Sequence, residues 1–130
     1  MNLIAHLQKG KRNGKRLVSE YFERIQAGDL KGLLNLFSND SIIFEPFSKT
    51  KYLRGKLEIE PFLETVILIN KGMKYEIKMT RDQNIVDDRV VALVTFHRGG
   101  SVTARFSFQL NYDGQERETT IKSLKIEFIA

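Results

Sequence analysis

The sequence predicts an α+β domain in which early helices pack on one face of a curved, mostly antiparallel sheet. Two observations carry this. In three early segments, Leu17 to Ile25, Leu30 to Phe37 and Phe62 to Ile67, apolar residues recur every three or four positions, the spacing of a helix face. From Met73 onward the period changes to two, the spacing of a strand with one dry and one wet face. Runs of helices followed by runs of strands give α+β rather than a parallel doubly wound sheet.

Leu17, Val18, Tyr21, Phe22 and Ile25 form the apolar stripe of a first helix. Gly28 suits its C-terminal stop, and Asp29 suits the N-cap of a second helix. That helix carries Leu30, Leu33, Leu34 and Phe37, and Asn39-Asp40 break it. Ile42 to Phe47 reads as a strand, and Lys49 to Arg54 as a loop or short strand closed by Gly55. A third helix bears Phe62, Leu63, Val66 and Ile67. Pro61 is comfortable only in a first turn, so the regular helix is expected to start near Glu58 to Glu60.

Met73 to Thr80 alternates apolar and polar residues. Arg89 to His97 is the next strand, and Gly99-Gly100 reads as a two-residue hairpin turn. That turn would set His97 opposite Val102 and Leu93 opposite Phe106, placing His97 on the inner, Phe106/Phe108 face; a one-residue slip would reverse this. Val90, Ala92, Val94 and Phe96 would then lie on the outer face beside Thr103, Arg105, Ser107 and Gln109. Such an apolar group beside a polar strip suggests a homodimer through the sheet. Asp113-Gly114 signals the last turn before Thr119 to Ile129. A two-residue turn there groups Ile121 with Phe106; an odd-length loop puts Leu124, Ile126 and Phe128 on the Phe106 face instead.

At 130 residues the chain is one domain with a sizeable core. The absence of cysteine excludes disulfides, thiolate nucleophiles and cysteine-held metals. Two histidines make a histidine metal cage unsuitable, and there is no phosphate-binding glycine loop, so no cofactor or metal is expected. No apolar run reaches the roughly 20 residues that span a bilayer, so no membrane is expected and the location is read as cytoplasmic.

The net charge of +5 sits in one place. Residues 1–16 hold Lys9, Lys11, Arg12, Lys15 and Arg16 and no acid, which leaves residues 17–130 formally neutral. This basic N-terminal arm is the one segment suited to nucleic acid, and only for weak contact, because no aromatic residue interleaves its charges.

The series Val18-Ser19-Glu20-Tyr21-Phe22, Ala27-Gly28-Asp29-Leu30, Leu36-Phe37, Asp40, Glu45-Pro46 and Arg54-Gly55, with the order of elements, resembles the nuclear transport factor 2-like superfamily. That group includes ketosteroid isomerases and SnoaL-like cyclases. The resemblance implies a cone-shaped, cystatin-like roll wrapped around three helices, with a cavity between sheet and helices. It also implies a catalytic tyrosine at Tyr21 and an acidic general base at Glu45. At the place of a third group, a protonated carboxylic acid, stands Phe106, which cannot donate a hydrogen bond. The chain departs there from the isomerase pattern.

Read from the residues alone, Glu45 lies in an apolar strand, where burial favours a general acid or base and the alternative is an ion pair with Arg54 or a place on a rim. A nearby tyrosine hydroxyl could hold an oxygen as charge develops on it. Phe22, Phe37, Phe47, Phe62, Val66, Phe106 and Phe108 are read as core residues or cavity lining. Arg54 and His97 are read as polar contacts near the cavity mouth. The expected ligand is small and largely apolar. The rival is a dimeric interaction module with a filled cavity.

Overall fold

The computed structural model describes residues 3–47, 52–80, 88–112 and 119–129, with residues 3–13, 80 and 112 as backbone. Helix α1 runs Leu3–Ala27, so the basic N-terminal residues lie on its first turns. Helices α2 (Leu30–Leu34) and α3 (Gly55–Asn70) follow, with strands β1 (Phe37–Phe44) and β2 (Tyr52–Arg54) between them. Strands β3 (Lys74–Thr80), β4 (Arg89–His97), β5 (Ser101–Tyr112) and β6 (Thr119–Ile129) complete a six-stranded sheet of order β2-β1-β6-β5-β4-β3. All neighbours are antiparallel except β1 and β6.

Helix α1 ends as its sequence implies. Gly28 takes φ +69°, and Asp29 N–H bonds the Arg24 carbonyl at 2.9 Å, closing a Schellman motif. Asp29 then caps α2 by accepting the Gly32 N–H at 2.9 Å. The face of Leu17, Val18, Tyr21, Phe22 and Ile25 is buried against the inner sheet face, where Ala92, Val94, Phe106, Phe108, Leu124 and Ile126 point. Each such side chain stabilises the fold by roughly 1.5–3 kcal/mol.

The structure makes three corrections. Phe37 belongs to β1 rather than to α2: Asn35 caps the short helix, and Phe37 pairs with Ile121 of β6. Pairing to the far end of the chain overrides a helical pattern that continued through Phe37. Second, α3 starts at Gly55 and holds Pro61 in its interior. Glu58 Oε1 accepts the Arg54 N–H at 2.8 Å and fixes the earlier start. Pro61 lies on the exposed side, where water can take the carbonyl that its ring leaves unbonded.

The third correction is the β4–β5 register. Three residues, Arg98, Gly99 and Gly100, connect the strands, and His97 pairs with Ser101 rather than Val102. Gly99 adopts φ +69°, the left-handed conformation that a three-residue hairpin uses. Because side chains alternate, that slip exchanges the faces. Val90, Ala92, Val94 and Phe96 therefore point inward, against the expectation, and Val91, Leu93, Thr95 and His97 point outward beside Ser101, Thr103, Arg105 and Ser107. The outer face is thus mostly polar, and the four residues on which a dimer through the sheet was argued lie in or against the core.

Strand β6 settles the alternative left open at its register. Leu124, Ile126 and Phe128 oppose Phe108, Phe106 and Ala104. A bulge at Lys122 shifts the phase by one, so Ile121 opposes Leu110 on the same face. Asp113-Gly114 lies outside the described residues.

Candidate functional site

The site is built between α3, the β4–β5 hairpin and the inner sheet face. Helix α3 has two apolar stripes. Ile59 and Leu63 are buried in the core, whereas Phe62, Val66 and Asn70, four residues apart, line a cavity of about 430 Å³. The sheet supplies Phe96, Ala104, Phe106 and Ile126 as the opposite wall. The volume lies in the lower part of the range usual for small-molecule sites, about 300–1,000 Å³. The rim is apolar and exposed at Phe47, Ile69, Val102 and Phe128. Phe47 and Phe128 meet edge to face, with ring centroids 5.5 Å apart.

Tyr21 also lines the cavity. Its ring is held by Phe22 at 4.9 Å and Phe108 at 5.4 Å, with Phe106 and Phe37 beyond 6 Å. It is fully buried, and its hydroxyl has no hydrogen-bond partner among the described residues. Burial pushes the phenol pKa upward, so Tyr21 stays protonated and remains a donor. An unsatisfied buried hydroxyl costs about 1–3 kcal/mol, which an acceptor atom brought within reach of it would recover.

Glu45 follows β1 directly and is only 3% exposed. Its Oε2 accepts the Phe47 N–H at 2.7 Å across Pro46. It does not line the cavity, and it is not hydrogen-bonded to the Tyr21 hydroxyl. The two residues taken together as a catalytic pair are thus both buried, with only Tyr21 at the cavity.

Of the other expected residues, the structure brings Phe47, Phe62, Val66 and Phe106 to the cavity. Phe22, Phe37 and Phe108 are packed in the core beside it. The Arg54 side chain is exposed at the end of β2, away from the lining. His97 is corrected to the outer face: its Nδ1 lies 3.0 Å from Ser101 Oγ, and its Nε2 lies 3.9 Å from Glu76. Sequence reasoning missed Phe96, Arg98, Asn70 and Phe128. The first two were lost with the hairpin register, and Phe128 was legible only in one of two alternatives.

A second cleft, larger at about 750 Å³, is lined by Arg16, Glu20, Asn35, Ser38, Lys56 and Thr119 among others. Its mixed charges and amides suit solvent, so the apolar cavity is the candidate site. Among the described residues no cluster of acidic or histidine side chains suits a metal ion, and no helix is long and apolar enough to cross a membrane.

No family model matches the chain, and no curated protein matches it. Solved structures do. The epoxide hydrolase/cyclase-like enzyme SalBIII superposes with a TM-score of 0.72 at 16% identity, over 91% of this chain and 92% of that one. A SnoaL-like protein from Burkholderia thailandensis gives 0.70 at 13% identity, over 92% and 97%. A steroid delta-isomerase from Pseudomonas aeruginosa gives 0.69 at 18% identity, over 91% and 80%. The fold is the nuclear transport factor 2-like fold. Within it the observed order of helices and the mixed six-stranded sheet match the architecture expected from the sequence. At these identities the likeness speaks for the nuclear transport factor 2-like fold and leaves the chemistry to the site.

Proposed function

We propose that the chain binds a small, largely apolar molecule in the cavity between α3 and the inner sheet face, with the Tyr21 hydroxyl donating a hydrogen bond to a carbonyl or similar acceptor on it. One observation carries this reading: a fully buried phenol without a partner among the described residues lines an otherwise mostly apolar cavity. Buried hydroxyls are almost always satisfied, and a bound acceptor would satisfy this one.

Proton-transfer chemistry is the catalytic extension of the same reading. The SalBIII study concerns pyran ring formation, and the Pseudomonas protein is named an isomerase. Here Tyr21 would stabilise a developing oxyanion and Glu45 would serve as base in an isomerisation, cyclisation or dehydration. Glu45 stands outside the lining and holds the Phe47 N–H, so binding takes precedence over catalysis.

The test is fluorescence titration with the neutral dye N-phenylnaphthylamine, followed by displacement with apolar ketones. Saturable dye binding, with ketones displacing it more weakly from Tyr21→Phe, supports the proposal. A dye that does not bind, in a folded protein, overturns it.

A further inference from the structure

We infer that the ligand carries a carboxylate, held by Arg98 at the cavity mouth while the apolar body lies inside; this rests on the binding reading above. Among the described residues lining the cavity, Arg98 is the one charged side chain, and no carboxylate lines it. The adjoining strand's Glu76 is turned to the outer face, beside His97. A cation at the edge of an apolar space, without a counter-charge in the lining, favours an anionic group on the occupant.

The guanidinium is also positioned. Its Nη2 donates to the Ile69 carbonyl at 2.8 Å and to the Lys71 carbonyl at 3.2 Å, at the C-terminal end of α3. Those carbonyls carry partial negative charge, so they hold the group without neutralising it. Nε and Nη1 have no partner among the described residues. Because Nη2, the nitrogen common to both bidentate edges of the guanidinium, is directed at the two carbonyls, Nε–H or Nη1–H offers a carboxylate one charge-assisted hydrogen bond. The connection after it leaves room: nothing lies within 4 Å of where a Cβ on Gly99 or Gly100 would stand. The exposed apolar rim of Phe47, Val102 and Phe128 would cover the part of the molecule between head and body.

Decanoic acid and decanol serve as probes, each displacing the neutral dye at neutral pH and physiological salt. The unaltered chain is expected to bind the acid about tenfold more tightly than the alcohol, the size of one charge-assisted contact at a partly exposed site. Arg98→Met should bring the ratio near one, and Arg98→Lys should retain part of it. Lys74→Met removes the same charge from the outer face and should leave the ratio unchanged. Equal binding of acid and alcohol by the unaltered chain, or an equal loss in Lys74→Met, overturns the inference while apolar binding stands. Absence of dye binding overturns both readings. If Arg98→Met does not fold, the unaltered ratio set against those of Arg98→Lys and Lys74→Met decides.

Discussion

The carboxylate of Glu45 accepts the backbone N–H of Phe47 at 2.7 Å, and Phe47 stands edge-on to Phe128 across the cavity rim. A buried acid just past the end of β1 thus fixes the turn that carries one side of the mouth. Glu45→Ala should lower stability by about 1.5–3 kcal/mol, the usual contribution of a hydrogen bond to a charged group. Glu45→Gln keeps an acceptor oxygen and should lose less. Urea denaturation reads both, and equal stability of all three chains would remove Glu45 from the turn's support.

Tyr21→Phe should leave the ligand-free fold as stable as before, or up to about 1 kcal/mol more stable, because it deletes an unsatisfied buried hydroxyl and keeps the ring contacts. The same change should weaken ketone binding about tenfold. Stability from denaturation and affinity from dye displacement should therefore move in opposite directions. A clear loss of stability would mean that the hydroxyl has a partner in solution.

His97→Ala should change ligand affinity by less than about twofold and stability by less than about 0.5 kcal/mol, as for an outer-face position. Had Gly99-Gly100 formed a two-residue turn, the same substitution would open a gap in the cavity wall. A large fall in affinity would contradict the three-residue connection.

Acid should act on the α1–α2 junction. The Gly32 N–H, and then Arg24 with its Nη1 at 2.8 Å, hold the Asp29 carboxyl below its ordinary pKa against the opposing effect of burial. A depressed folded pKa contributes stability that is present above the unfolded value, about 3.9, and is lost as pH falls through the folded value. Melting curves should show this loss beginning near pH 4, and Asp29→Asn, which cannot ionise, should show a flatter profile over that window. Identical profiles would rule the junction out as an acid-sensitive point.

The helix face of Leu17, Val18, Tyr21, Phe22 and Ile25, the Gly28-Asp29 junction and the strand pattern after Met73 were legible because each depends on neighbours a few residues away. Tyr21 and the cavity walls at Phe62, Val66 and Phe106 were legible for the same reason. Pro61 misled because a local rule about helix interiors yielded to an early start fixed by Glu58. Phe37 misled because its partner, Ile121, lies 84 residues on.

The sequence by itself determined the order of elements, the apolar faces and the buried place of Tyr21, since hydrophobic periodicity is written locally. Only the tertiary structure decided which strand face turns inward, that Glu45 supports a turn rather than the cavity, and that Arg98 stands at the mouth. The reason is the two-residue period of a strand. One extra residue in the β4–β5 connection and one bulge at Lys122 exchange whole faces, and neither changes the local pattern from which a strand is read.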